Sequence, residues 1–89
     1  MNFPVLDLHC DTALCLLGKS LRETGSLLHN DGHLDLSRAQ SLAGFAQCFA
    51  CFTTPFMQEW YHEAPETMFD REMVSVLREI EENKEIIRL

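Results

Sequence analysis

The chain has few basic residues: seven Lys and Arg against fourteen Asp and Glu in 89 residues, a formal net charge of −7. No cluster of basic residues could neutralise a phosphate backbone, so nucleic acid is not an expected partner. A glycine-rich phosphate loop and a G-x-S-x-G motif are also missing from the sequence. Their absence argues against a phosphate-loop nucleotide site and against the nucleophile of an α/β-hydrolase.

Long apolar runs are missing as well. No stretch is long enough to span a bilayer, and the N-terminal MNFPVLDLHCDT lacks the basic segment and apolar core of a signal peptide. We therefore expect a cytoplasmic protein with no membrane partner. In that compartment the four cysteines, Cys10, Cys15, Cys48 and Cys51, are expected to be reduced.

The spacing of Cys48 and Cys51 is found in zinc knuckles and redox motifs, but its setting weakens that interpretation. Both lie in AQCFACFTT, which has the composition of a strand. Side chains three apart on a strand point to opposite faces, so they do not converge on one ion. A buried, unreactive role is the better prediction for this pair.

Two apolar runs predict buried strands. Residues 5–9 follow Pro4 and are too short for a helix, and residues 45–54 form a longer run that Pro55 closes. The second run is apolar enough to predict burial on both faces. Two such strands joined by a crossover predict a parallel pair in an α/β architecture.

The segments between the strands are predicted to be short elements. Residues 12–19 resemble a short helix that Gly18 closes, and residues 26–36 resemble a small hairpin around Asn30-Asp31-Gly32. Ser37 is expected to cap a brief helix, SRAQSLA, that ends at Gly44.

The most secure helix begins between Glu63 and Thr67, with Thr67-x-x-Asp70 as a candidate capping box. Asn83 is a candidate terminator, after which residues 85–89 (EIIRL) resemble the start of a strand; the alternative is that the helix continues to Leu89. The spacing of its apolar residues predicts one buried stripe along this helix. The stripe consists of Phe69, Met73, Val76, Leu77 and Ile80.

The chemistry of the sequence is concentrated where the first predicted strand ends, in Asp7-Leu8-His9-Cys10-Asp11. His9 and Asp11 stand at i and i+2, so both side chains leave the same side of the strand, with Asp7 one step deeper. An imidazole and a carboxylate together are a partial ligand set for Zn²⁺. The alternative is that Asp11 only orients the histidine or caps the next helix.

The remaining histidines are weaker metal candidates. His33-x-Asp35 repeats the spacing but lies beside a predicted turn, where polar residues are expected anyway, and His29 and His62 lie in polar loop surroundings. His9 and Asp11 are therefore the predicted metal ligands, and no catalytic side chain is assigned.

Three segments in order resemble the start of a membrane (renal-type) dipeptidase, a family of the metal-dependent amidohydrolase superfamily. They are LDLHCDT at residues 6–12, GHLDLSR at residues 32–38 and GFAQCFACF at residues 44–52. The resemblance extends over essentially the whole chain. It implies a (β/α)₈ TIM barrel with two zinc ions and a metal-bound hydroxide that hydrolyses the peptide bond of dipeptides.

Residue by residue, the resemblance makes His9 and Asp11 ligands of one zinc, whereas Gln47, Phe49 and Phe52 match strand positions outside the site. The chain is far shorter than such a barrel, which takes on the order of 250 residues. Residues 1–89 are therefore expected to be the N-terminal part of a hydrolase barrel, with no second domain and no activity alone. The alternative is a small, non-catalytic α/β interaction module, a possible homo-oligomer, that uses its sheet edge and the patch Phe56, Met57, Trp60 and Tyr61.

Overall fold

The structure is a computed structural model, and it describes residues 3–17 and 25–89. Within these ranges two strands and four helices follow one another as a small α/β arrangement. In chain order they are β1 (Pro4–Cys10), α1 (Thr12–Leu16), α2 (Leu36–Ala39), β2 (Gly44–Phe49), α3 (Met57–Tyr61) and α4 (Pro65–Glu82).

The two strands pair in parallel, which confirms the predicted strand pair and its crossover. Pro4 is opposite Gly44 and Asp7 is opposite Gln47, after which the register is irregular up to Cys10 and Phe49. The Ala50 backbone N–H donates to the Cys10 carbonyl at 2.9 Å and continues the ladder past this irregularity. The carboxyl end of β1 is thus held against β2 just before Asp11.

The prediction that both strands are buried is wrong for the described residues. Leu6 and Leu8 of β1 are 65% and 73% exposed, and they alternate with half-buried Val5 and Asp7. β2 ends at Phe49 rather than Thr54, and its face alternates in the same way. No residue of β1 or β2 is fully buried, so neither face of this two-stranded sheet is completely covered by the rest of the described chain.

The predicted hairpin between residues 26 and 36 is also wrong, since residues 25–35 form bends without strand pairing. The Asn30 side chain replaces the missing ladder: its Nδ2 donates to the carbonyls of Ser26 and Leu34, and its Oδ1 accepts from the Gly32 N–H. Asparagine commonly folds a loop around its own amide in this way. The turn was predicted correctly, but the strands beside it were not.

Both predicted helix caps differ from those in the structure. Asp35, not Ser37, caps α2, because its carboxylate accepts from the Arg38 N–H at 2.8 Å. α4 begins at Pro65 within the predicted window, but its N-cap is Ala64 and no side chain completes a capping box. Asn83 ends α4, which decides between the two ends that the sequence left open, and the residues after it form turns and irregular chain rather than a strand.

The core lies where α1 and the loop before α2 meet α4. One buried cluster contains Ala13, Leu27, Leu36, Val76 and Ile80, and a second contains Leu14, Met57 and Met68. The Leu27 N–H also donates to a carboxylate oxygen of Glu79 at 3.2 Å, which fixes the loop to α4. No described helix combines the length and apolar character needed to cross a membrane.

The buried side of α4 is rotated from the predicted stripe. Val76 and Ile80 are buried as predicted, whereas Phe69, Met73 and Leu77 are exposed. The buried positions repeat every four residues, through Met68, Glu72, Val76 and Ile80. Part of the predicted apolar stripe is therefore exposed to solvent, and the Glu72 carboxylate lies among the buried side chains.

Candidate metal-binding site

His9 and Asp11 lie next to each other at the carboxyl end of β1. His9 is the sixth residue of the strand, and Asp11 follows the strand as the residue before α1. The Nε2 atom of His9 and the Oδ1 atom of Asp11 are 3.2 Å apart, and both side chains are more than half exposed. The i, i+2 spacing on an extended backbone places them on one side, as the strand alternation predicts.

The Asp11 carboxylate does not cap the following helix. Its φ and ψ of −101° and 25° are not those of a standard N-cap, and its side chain makes no cap hydrogen bond to α1. The capping alternative for this aspartate is therefore wrong. The carboxylate remains directed toward the His9 imidazole.

The separation of the two donor atoms fits one zinc ion. Bond lengths of about 2.1 Å to nitrogen and oxygen at a tetrahedral angle place two ligand atoms roughly 3.4 Å apart. The observed 3.2 Å is close to this value. The same distance also suits an imidazolium–carboxylate pair, so geometry alone leaves both interpretations open.

The pair has no third ligand nearby in the part of the chain that the structure describes. No group of three His, Cys, Asp or Glu side chains there is arranged to hold an ion. Asp7, one step deeper, accepts a hydrogen bond from the His9 backbone N–H at 3.4 Å. The described residues thus provide half of a zinc ligand set.

A broad cavity of about 1270 Å³ opens along β1 and contains the pair. Its polar side includes Asp7 and His9 of β1, Asp11 directly after the strand, and His33 from the loop before α2. Its aromatic side comes from the end of α3. This volume is somewhat above the range typical of sites that enclose small ligands.

His33 and Asp35 share the spacing of the metal pair but have separate roles. His33 is exposed and lines the cavity, whereas the buried Asp35 carboxylate caps α2 and pairs with the Arg38 guanidinium at 3.0 Å. Burial alone would raise the pKa of Asp35, but hydrogen bonds from Arg38 and Asn30 and the Arg38 charge outweigh it and lower the pKa to about 2. This aspartate is a structural anchor.

No disulfide joins any of the four cysteines in the structure, and none of them belongs to a group of three candidate metal ligands in residues 3–17 and 25–89. Cys48 is exposed on β2, while Cys51 lies beyond the strand end. Burial raises the pKa of the Cys51 thiol, and the charge of Glu72 raises it further. A thiol held in its protonated form is a poor ligand and a poor nucleophile.

Glu72 is a chemically unusual residue that sequence reasoning missed. It is fully buried on α4, and neither carboxylate oxygen has a hydrogen-bond partner in the structure. Burial, and secondarily the negative charge of Asp11, raises the pKa of Glu72 to about 7. The sequence could have indicated its burial, because Glu72 lies four residues after Met68 and four before Val76, a spacing that places all three on one helix face.

The chain was compared with protein-family models, curated proteins and solved structures. None of the three comparisons gives a significant match.

Proposed function

We propose that this chain is the N-terminal portion of a zinc-dependent dipeptidase, a hydrolase with a (β/α)₈ barrel, and that it contributes two ligands of one zinc. The observation that carries the proposal is the convergence of His9 and Asp11, 3.2 Å apart at the carboxyl end of a parallel strand. In barrels of parallel strands, catalytic groups gather at that end.

The surroundings of the pair support this proposal. The two side chains are accessible, neither is used in capping or in the core, and both line a cavity large enough for a dipeptide. Bound zinc would supply Lewis acidity, lowering the pKa of a coordinated water and polarising the substrate carbonyl. The role of this chain is to hold a nitrogen donor, from His9, and an oxygen donor, from Asp11, at a fixed separation at the strand end.

A zinc titration tests the proposal directly. We expect the purified chain to bind zinc weakly, because two ligands leave the tetrahedral set half filled. His9→Ala and Asp11→Asn should each weaken that binding at least about tenfold, a loss of roughly 1.4 kcal/mol. His29→Ala is the matched control, since His29 is exposed and lies outside the residues that line the cavity.

Two measurements give the answer: competition with a chromophoric zinc chelator, and the metal content of the purified chain. Equal zinc affinity in the chain, His9→Ala and His29→Ala would contradict the proposed ligands. Tightly held, stoichiometric zinc would contradict the half-site. We also expect the 89-residue chain alone to hydrolyse no dipeptide, because the described residues supply no third ligand.

A second candidate function is a non-catalytic interaction module that self-associates through its sheet. The exposed Leu6 and Leu8 of β1 favour it, because both are large apolar side chains on the same face of the sheet. The aromatic patch predicted for this role is smaller than expected, since Met57 is fully buried and Tyr61 is half buried. Sedimentation of the chain tests this candidate, as argued in the Discussion.

A further inference from the structure

Three consecutive residues at the end of α3, Trp60, Tyr61 and His62, line the same cavity as His9 and Asp11. Trp60 is 57% exposed, so its indole is not part of the core. We call Trp60 and Tyr61 the aromatic wall of the cavity. Exposed aromatic side chains beside polar groups in a cavity are characteristic of ligand sites.

The aromatic wall is held in place by packing on its other side. Met57, at the start of α3, is fully buried with Leu14 and Met68, and Tyr61 packs against that cluster. The Trp60 ring stacks on Phe56 with ring centres 5.5 Å apart, and it meets Tyr61 edge to face at 6.5 Å. These contacts restrain the indole without covering it, which lowers the entropy lost when a ligand packs there.

The chain direction also turns sharply after the aromatic wall. His62 has a φ of 61°, in the left-handed region that residues other than glycine seldom adopt. Its N–H donates to the Gln58 carbonyl at 3.1 Å and closes α3. This closing turn places His62 at the cavity directly after the two aromatic rings.

The charge of the cavity restricts which ligands suit it. Two carboxylates, Asp7 and Asp11, line it, while Lys and Arg are absent from its described lining. A negatively charged side chain of a ligand would meet these carboxylates without a compensating Lys or Arg from the described lining. An uncharged apolar or aromatic group would instead bury its surface against Trp60 and Tyr61.

We infer that the aromatic wall is a specificity subsite for a large apolar or aromatic side chain of a dipeptide ligand, and that it discriminates against acidic side chains. This inference rests on the proposed function for the identity of the ligand. It assigns Trp60 and Tyr61 to side-chain selection and leaves the peptide group to the part of the cavity near His9.

The test uses three amidated probes that differ only in one side chain: glycyl-phenylalaninamide, glycyl-glycinamide and the α-amide of glycyl-glutamic acid. Trp60 is the only tryptophan in the chain, so its fluorescence reports binding at the subsite itself. Ligand-observed NMR titration measures the same affinities in variants without tryptophan. We expect the phenylalanine probe to bind at least about tenfold more tightly than the glycine probe, and the glutamate probe to bind no better than glycine.

Trp60→Ala should reduce the preference for phenylalanine over glycine to less than about threefold, whereas Trp60→Phe should retain most of it. Phe69→Ala is the matched control, because Phe69 is an exposed aromatic residue outside the cavity lining. Far-ultraviolet circular dichroism checks that each variant is folded. Equal binding of the three probes, no saturable binding, or equal effects of Trp60→Ala and Phe69→Ala would overturn the inference.

Failure of this inference can be told apart from failure of the proposed function. An aromatic preference that persists while His9→Ala leaves zinc binding unchanged would support the subsite and contradict the zinc ligands. Zinc binding that depends on His9, without any preference among the three probes, would contradict the subsite alone.

Discussion

Asp35 is the residue on which the loop that carries His33 depends. One carboxylate oxygen accepts from the Arg38 N–H, and the other accepts from the Asn30 N–H at 3.1 Å and pairs with the Arg38 guanidinium. Arg38 in turn donates to the Gly32 carbonyl at 2.9 Å. Because these bonds join Asn30 and Gly32, in the middle of the loop, to Asp35 and α2, a single buried carboxylate helps to position this wall of the cavity.

Replacing Asp35 with Ala should cost about 2–3 kcal/mol of unfolding free energy at neutral pH, because a cap and charged hydrogen bonds are lost. The folded-state pKa, about 2, lies below the ordinary value of 3.8. The ionised carboxylate is thus favoured by folding, and its contribution is present above about pH 4 and lost as pH falls through about 2. Urea unfolding across this range measures both effects.

Asp70→Ala is the control for this experiment, since Asp70 is exposed on α4 and its removal should change stability by less than about 0.5 kcal/mol. An Asp35→Ala chain as stable as the control would contradict the anchoring role. So would acid sensitivity between pH 4 and 2 that is the same in both variants.

At this scale the sequence supported part of the site. The proximity of His9 and Asp11 followed from strand alternation, because residues i and i+2 on an extended chain lie on the same side whatever the rest of the molecule does. The same spacing in His33 and Asp35 was uninformative, because His33 lies in a bend and the segment is not part of a strand. Spacing alone does not show which of the two pairs stays accessible. That depends on the hydrogen bonds that Asp35 makes with Arg38 and Asn30.

The packed side of helix α4 contains one buried ionisable side chain. Glu72 lies between Met68 and Val76 on the packed side, with two oxygens that no hydrogen bond satisfies. A buried carboxylate without partners favours its protonated form. The pKa of about 7 therefore makes the docking of α4 depend on pH near neutrality.

Glu72→Gln should stabilise the chain at alkaline pH. Folding raises the pKa of this carboxyl from 4.5 to about 7, so its contribution is fully present below about pH 4.5 and is lost as pH rises through about 7. The wild-type chain should lose about 3 kcal/mol across that window, and the variant should lose little. Urea unfolding at about pH 4 and about pH 8.5 measures the difference.

Glu82→Gln, an exposed position on the same helix, is the matched control and should follow the wild-type pH dependence. The burial assigned to Glu72 would be wrong if Glu72→Gln and Glu82→Gln showed the same stability difference between the two pH values. The Glu72 prediction concerns stability alone and does not depend on the proposed zinc site.

The elements illustrate what local patterns can and cannot provide. The limits of α4 were predictable because Pro65 and Asn83 act through their own backbone preferences. The rotation of its buried side was not, because burial depends on where α1 and α3 dock. The short helix α3 was missed for the same reason: Met57 is fully buried only because Leu14 and Met68 meet it.

The whole molecule combines a net charge of −7 with an incompletely covered sheet. Parallel register places Leu6 beside Ala46, so the exposed positions of β1 and β2 lie on a common apolar surface. A parallel sheet is normally covered on both faces by helices. The sequence predicted burial on both faces for the second strand from its apolar character, but no residue of β2 is fully buried.

The incompletely covered sheet determines how the chain should behave at high concentration. We expect the wild-type chain to self-associate reversibly, because Leu6 and Leu8 together expose a large apolar surface. Leu8→Lys should shift the average mass toward the monomer, since association would bury an unpaired ammonium group. Val74→Lys, at an exposed apolar position on α4, adds the same charge elsewhere and should leave association nearly unchanged.

Sedimentation velocity at moderate salt, over a range of concentrations, separates the two variants. A wild-type chain that stays monomeric would contradict the interaction-module candidate, and equal effects of both substitutions would show that net charge, rather than the sheet face, controls association.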